Sequence, residues 1–183
     1  MTEREKSTSF GQAAAAYESG RPGYPTEAVA WLLAPVREPG RALRVADVGA
    51  GTGKLTRAVV ELGADVVAID PDATMLASLR ENVRGVPTFA GTAEGLPLPD
   101  SALDAVVMGQ AWHWVDPDAG SREIGRVLRS GGVLGLIWNI RDDRVEWVRR
   151  LTSFPRAWIA GPLRGLARAA RQAGLGKLSV PSG

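Results

Sequence analysis

Between residues 43 and 138, short apolar runs alternate with stretches of helical spacing. Leu43 to Val48 is the first such run. Lys54 to Leu62 then shows a helical period and meets Gly63, a favourable C-terminal stop. Val66 to Ile69 is apolar and largely β-branched, and Asp72 is placed to cap a helix running to Val83. Val86 to Ala90 and Leu103 to Met108 are the third and fourth strand candidates. Asp118 to Leu128 reads as a helix ended by Gly131-Gly132, and Val133 to Trp138 as a fifth strand. Upstream, Thr26 is placed to cap a helix from Glu27 to Ala34 that stops before Pro35. Residues 10–25 start with helix-forming alanines and end in a Gly/Pro-rich turn, and residues 1–9 are polar and predicted to fray. This alternation predicts βαβ units: an α/β, doubly wound, mostly parallel sheet covered on both faces.

Composition narrows the chemistry. The 183 residues suit one domain, and 45% apolar with 23% charged residues is an ordinary globular mix. Without cysteine there is no disulfide, thiolate metal site or cysteine nucleophile, and one histidine rules out a histidine-rich metal centre, so no metal is expected. The start of the chain lacks an apolar signal core, and no apolar run approaches the roughly 20 residues that span a bilayer. We therefore expect a cytoplasmic protein away from membranes. The net charge of +2 hides an asymmetry: Arg156, Arg164, Arg168, Arg171 and Lys177 follow residue 150, and no acid does. Such sparse charge reads as a solvated helix face rather than a nucleic-acid surface.

The segment VADVGAGTGKL, residues 45–55, carries the most information. A strand runs into three glycines at alternate positions, and a helix follows. Such a turn lets a ligand approach the backbone and meet the free N–H groups of a helix start. Three nucleotide-binding loops share this appearance. A phosphate-cradling P-loop needs glycine where Val48 stands and Ser or Thr where Leu55 stands. The dinucleotide fingerprint of nicotinamide enzymes needs glycine at position 54, which is lysine. A Gly-x-Gly-x-Gly loop preceded by Asp47 remains. Asp70 ends the second strand, 21 residues after Gly49, where a carboxylate can accept hydrogen bonds from both hydroxyls of a ribose. Its alternative role is a helix cap beside Asp72. Asp47, at the end of a buried strand, needs partners of its own, and loop N–H groups are one source.

With these residues in view, the sequence resembles a class I S-adenosylmethionine-dependent methyltransferase. DVGAGTGKL is similar to that family's first motif and VVAIDPDATML to its acidic strand-two motif. GTAEGLPLPDSALDAVV resembles the stretch that holds adenine and enters strand four. QAWHWVD and the early FGQAAAAYESGRPGYP are similar to the subgroup containing trans-aconitate-type small-molecule methyltransferases. The likeness covers residues 10–150, which we take as the cofactor-binding domain, with 1–9 a flexible N-terminus and 151–183 a basic, partly helical tail. It implies a Rossmann-like fold, S-adenosylmethionine as cofactor and S-adenosylhomocysteine as product. Gly49, Ala50, Gly51 and Gly53 would then face the methionine part and the ribose, with Asp47 supporting the methionine end and Asp70 the ribose hydroxyls. Ala93 would offer its backbone to adenine, with Thr92 or Glu94 nearby; Thr92 stands where many relatives carry Asp. Pro71 and Met75 would pack on adenine, or Met75 serve only helix packing. Gln110 would line the sulfonium end.

The acceptor side is thinner. His113, the sole histidine, sits between Trp112 and Trp114 past strand four, where ligands of parallel sheets bind. It is our candidate catalytic or acceptor-orienting residue, the alternative being a structural histidine. Trp112 and Trp114 either wall the acceptor pocket or belong to the core. Arg21 and Tyr24 in ESGRPGYP are candidates to meet a cofactor carboxylate or an acidic acceptor, with Tyr17 beside them; a plain surface turn is the alternative. The reading is in-line methyl transfer to a small molecule such as a carboxylic acid or hydroxyl compound. No metal or covalent intermediate is needed. The alternative is a cofactor-binding remnant with little turnover. GQAWHW is unlike the Asn/Asp-Pro-Pro-aromatic motif of base-amino methyltransferases, so nucleic acid is not the expected acceptor.

Family members of this kind continue past strand five with a helix and two antiparallel strands. Here 44 residues follow Asn139 and do not resemble those elements. The predicted order is therefore 3-2-1-4-5, without the usual 7-6 hairpin and apparently truncated or altered there. This leaves VLGLIW as an apolar edge that a tail helix from about Pro162 to Ala173 covers, that pairs two copies in a homodimer, or that leaves the protein poorly stable.

Overall fold

A computed structural model of the chain describes residues 22–140 together with Arg144. The elements in order are α1 (Thr26–Leu33), a 3₁₀ turn (Ala34–Val36), β1 (Arg44–Val48), α2 (Lys54–Glu61), β2 (Asp65–Asp70), α3 (Ala73–Asn82) and β3 (Thr88–Ala90). There follow β4 (Leu103–Gly109), a second 3₁₀ turn (Trp112–Trp114), α4 (Pro117–Val127) and β5 (Leu128–Ile137). The strands form one sheet in the order β3-β2-β1-β4-β5, as the family resemblance implied, with every pair parallel, as the alternation predicted.

Alternating side chains of the central strands feed two cores, which is how an all-parallel sheet buries both faces. Val45, Ala105 and Val107 meet Val29 and Leu33 of α1 and Leu55, Ala58 and Val59 of α2. Ala68 on the same face meets Leu79 of α3. Ala46, Val48, Val106 and Met108 face the other way, onto Ile124 and Val127 of α4. The winding reverses between β1 and β4. That reversal opens a crevice at the carboxyl ends of these two strands.

Several boundaries differ from expectation. Thr26 lies inside α1 rather than capping it; Pro25 is the N-cap and no side chain caps this end. The α-helix stops at Leu33, and a tighter 3₁₀ turn carries the chain through Pro35. Proline lacks only the N–H that a helix start leaves unused, so it is tolerated at that turn's beginning. Asp72 caps α3 as expected, accepting from the N–H groups of Thr74 and Met75. α4 is capped by Asp116, which accepts from Asp118 and Ala119, rather than beginning at Asp118. Gly131-Gly132 does not end α4. The helix gives way to β5 at Leu128, and the two glycines form a bulge within that strand. Leu103 pairs with Leu128 but Ala105 with Val133, so β5 carries three residues more than β4 over this stretch. Strand β3 is shorter than its apolar run, beginning at Thr88.

β5 ends the sheet among the described residues. The helix-forming alanines that open residues 10–25 and the expected tail helix lie outside the described residues, as do Tyr17 and Arg21. No described helix is long and apolar enough to cross a membrane.

Candidate active site

The glycine loop is built by what surrounds it. The N–H groups of Gly49 and Ala50 both donate to the Ile69 carbonyl (2.8 and 3.1 Å), which folds the chain back over the end of β2. A Cβ on Gly49 would lie 2.5 Å from the Ala111 Cβ, so glycine lets this loop touch the end of β4. Gly51 has φ +56° and open space where a Cβ would stand. There glycine serves both the left-handed backbone and access for a ligand.

Two aspartates anchor this loop. Asp70 accepts from the Gly51 N–H through Oδ2 (2.8 Å) and from the Asp72 N–H through Oδ1 (2.9 Å). It therefore locks the glycine loop to the start of α3, while each oxygen keeps a lone pair for a further donor. Asp47, on β1, is wholly buried. The Thr56 hydroxyl, from the first turns of α2, donates to its Oδ2 at 2.6 Å. Oδ1 has no partner among the described residues. Burial pushes the Asp47 carboxyl up to about 7; the Thr56 hydrogen bond offsets part of this, and the charge of Asp70 adds to it. A buried carboxylate oxygen without a donor is costly unless a ligand supplies one.

Asp47 is among the residues that line a small solvent-open cleft. Gly49, Gly51 and Thr52 make one wall, and Tyr24, Gly109 and Gln110 another. Gln110 takes φ +54°, rare for a side chain other than glycine, and its N–H donates to the Ile137 carbonyl at 2.9 Å. Such strain is often kept where it aims a functional group. Pro22 and Asn139 line the same cleft, and the Asn139 side-chain amide donates to the Pro22 carbonyl (3.1 Å), tying the segment before α1 to the end of β5. A Cβ on Gly109 would stand 2.6 Å from the Tyr24 hydroxyl, so this glycine gives the ring its place.

The structure brings Asp47, Gly49, Ala50, Gly51, Gln110 and Tyr24 of the expected residues to one cleft. Asp70 sits directly behind the loop. Gly53 instead packs under α3; a Cβ there would meet Leu79 at 2.9 Å. Beyond the third strand, Ala93 is buried while Thr92 and Glu94 are not, and Pro71 is exposed with Met75 half-buried on α3. The aromatic triplet stands apart. Trp112 is buried in the core beside Ala93 and Ile124, whereas Trp114 is 83% exposed. His113 is exposed, its ring tilted 46° against that of Trp114 at 4.8 Å. None of the three lines the cleft.

Sequence reasoning missed Thr56, Lys54 and Asn139. Thr56 had a signal, a polar residue in the first turn of α2, among apolar positions and just past the glycine loop that follows Asp47. Lys54 stands in the glycine-loop motif itself, whereas Asn139 had no signal, because only the fold brings it to this cleft. Among the described residues, no group of acids and histidine could hold a metal ion.

Comparison with known proteins agrees with this geometry. The family described as "Methyltransferase domain" matches residues 46–136. An uncharacterized methyltransferase of Mycobacterium tuberculosis (strain H37Rv) is 55% identical over 148 residues, 81% of this chain and 59% of that protein. The chain thus spans about three-fifths of the length of such relatives. A solved putative methyltransferase from an antibiotic biosynthesis pathway of Anabaena variabilis superposes with a TM-score of 0.53. It is 30% identical and covers 66% of this chain and 46% of its own. A geranyl diphosphate methyltransferase solved with GPP and sinefungin shares the fold. Its TM-score is 0.59 at 20% identity, covering 80% of this chain and 58% of its own. With the sheet order, the glycine loop and the incompletely satisfied aspartate, these likenesses place the chain among the class I S-adenosylmethionine-dependent methyltransferases, with S-adenosylmethionine as its cofactor.

Proposed function

We propose that the protein transfers the cofactor's methyl group to a small-molecule acceptor, a carboxylic acid or hydroxyl compound. The observation that carries the reading is the buried Asp47 Oδ1 without a donor among the described residues, in a cleft also lined by the glycine loop. An ammonium group of an amino-acid ligand is the donor it lacks. Lys54 lines the same cleft and suits the carboxylate of such a ligand. Asp70 holds the loop and keeps acceptor capacity for sugar hydroxyls. Ala93 offers its backbone to the base, with Thr92 or Glu94 nearby and Pro71 and Met75 beside it.

When bound, the cofactor supplies an electrophilic sulfonium methyl. The chain's own task is then to bind, align and exclude water, and alignment can contribute up to about 7–11 kcal/mol in favourable cases. Gln110, aimed by its strained backbone, and Tyr24 border the acceptor side. His113, from the turn just past Gln110 and outside the cleft lining, is proposed to orient the acceptor or take its proton, with Trp114 beside it. A carboxylate acceptor needs no base; a hydroxyl acceptor does. Pairing of two copies through β5 belongs to the same reading, and light scattering checks it: a clean monomer with a cooperative melt excludes it.

The direct test is calorimetric titration with S-adenosylmethionine, S-adenosylhomocysteine and NAD, then a mass-spectrometric screen of carboxylic acids and alcohols for methylated products. Binding of the first two alone is the expected result; NAD binding in their place sinks the reading. With an acceptor in hand, His113→Ala should lower turnover by about a hundredfold with cofactor affinity intact. Unchanged turnover removes His113 from the chemistry.

A further inference from the structure

The segment between β3 and β4 has almost no regular structure, yet it is held at many points by α4. Its first part is a tight turn in which Thr92 and Gly95 bridge, the Gly95 N–H donating to the Thr92 carbonyl at 3.2 Å. The Glu94 carboxylate accepts from the Asp116 N–H at 2.8 Å, at the start of α4, and from the Thr92 side chain. Burial alone would raise this carboxyl, but those two hydrogen bonds hold it below its usual value. Glu94 is therefore engaged with the protein rather than free to face a base.

Farther along, the Leu96 N–H donates to Glu123 at 2.8 Å. Arg126 then gathers the rest. Its guanidinium donates to the carbonyls of Leu98 (2.9 Å) and Leu96 (3.1 Å), to Asp100 (2.6 Å), and through two nitrogens to Glu123 (2.9 and 2.7 Å). The Arg126 carbonyl accepts from the Ser101 N–H at 2.8 Å. Gly120 completes the fit. A Cβ there would strike Val115 at 2.4 Å, and Ala93 lies just beyond at 3.8 Å. One face of α4 thus holds the segment from Glu94 to Ser101. A planar fork that binds two carbonyls and two carboxylates fixes backbone direction in a way a point charge cannot.

We propose that Arg126, acting with Glu123 and Glu94, is a positioning residue for recognition of the cofactor's base: it anchors residues 96–101, the segment into which the 92–95 turn runs, without touching the cofactor. The inference rests on the cofactor reading above. A loop without regular structure has no internal ladder to keep its N–H and C=O groups aimed. Reading a base edge by backbone requires them aimed within a fraction of an ångström. Arg126 and the carboxylates supply that rigidity from outside.

The experiment compares two ligands by calorimetry, S-adenosylhomocysteine and its counterpart with hypoxanthine for adenine. The wild-type chain should prefer the adenine form. In Arg126→Met that preference should shrink by about fivefold to tenfold, whereas Asp47→Asn weakens both ligands alike. Glu94→Ala leaves the Arg126 network in place and should reduce the preference too, which guards against misfolding of the arginine variant. Arg126→Lys should fall between, keeping charge but losing the fork. Equal weakening of both ligands in folded Arg126→Met and Glu94→Ala overturns the proposal and makes these residues merely structural. A wild-type chain that binds both ligands equally also overturns it, with the cofactor reading left standing. A wild-type chain that binds neither brings down the cofactor reading and this inference together.

Discussion

Two aspartates on neighbouring strands are both wholly buried, and their surroundings treat them in opposite ways. Asp104, at the amino end of β4, is satisfied on both oxygens. Arg41 grips it with two nitrogens (2.9 and 3.0 Å), the Arg44 N–H donates at 2.8 Å, and the Arg129 guanidinium donates to Oδ1. Glu38 joins Arg41 and Arg129 at the rim. Burial would raise the Asp104 carboxyl, but these donors, Arg41 foremost, hold it well below the usual carboxylate range. Asp47, near the carboxyl end of β1, is held by Thr56 through Oδ2, and its Oδ1 meets no donor among the described residues. One end of the sheet is finished as structure, and the other is left open for a ligand. Saturated buried charge marks architecture; half-satisfied buried charge in a cleft marks a site.

The largest effect should come from breaking the finished end. Asp104→Asn removes the charge the arginines share and replaces one of the two acceptor oxygens with an amide NH₂ that faces donors. Losing one partner of a buried ion cluster costs about 3–5 kcal/mol. Thermal unfolding should drop steeply, while the folded fraction still binds S-adenosylmethionine normally. A variant with an unchanged melting point would show that this cluster, despite its geometry, does not support the fold.

The open end should respond to pH in the contrary sense. The Asp47 carboxyl lies near 7 when folded, against an ordinary 3.8, so the folded chain holds a proton that the unfolded chain releases. Its contribution to stability is full below the ordinary value and is lost as pH rises through about 7. Asp104 works the other way, contributing above its ordinary value and losing that contribution as pH falls. Melting of the ligand-free protein between about pH 5 and about pH 8 should therefore show a decline that Asp47→Asn flattens. The same variant should weaken S-adenosylmethionine binding by about tenfold to a hundredfold, the worth of a charged hydrogen bond, at little cost in stability. An Asp47→Asn protein that binds as tightly as wild type would refute the pairing of this oxygen with the ligand.

Sequence makes this contrast legible on one side only. The glycine spacing and the two carboxylates announce the open end because its chemistry lies within residues 47–70 of contiguous sequence. The parallel sheet follows from the alternation of apolar runs and helices, and its order β3-β2-β1-β4-β5 from the family resemblance. The Asp104 cluster joins residues 38, 41, 44, 104 and 129, and no local pattern announces such a grouping. Likewise Trp112 is ambiguous in sequence, since a tryptophan at the end of a strand suits a pocket wall or a core equally, and only packing against Ala93 and Ile124 decides. The Gly131-Gly132 pair misleads for a related reason. A glycine pair after a helix resembles a C-terminal stop, and a bulge shows itself only in the pairing register.

That pair supplies the smallest test of the finished end. Gly131 sits at φ +76° with no atom within 4 Å of where a Cβ would stand, so space is not its constraint. Gly132 is crowded by backbone, its Cβ position lying 2.9 Å from the Arg129 carbonyl and 3.1 Å from that of Asp104. The bulge thus presses on the two residues whose side chains meet in the cluster, and it cannot shift to relieve strain at its first glycine. Gly131→Ala should cost about 1 kcal/mol, the penalty for a left-handed backbone with a side chain, read as a small drop in melting temperature. Cofactor affinity should be untouched, because the bulge lies at the opposite end of the strands from Gly49 and Gln110. A loss of binding with Gly131→Ala would mean that the two ends communicate along β4 and β5, and the division drawn between Asp104 and Asp47 would have to be abandoned.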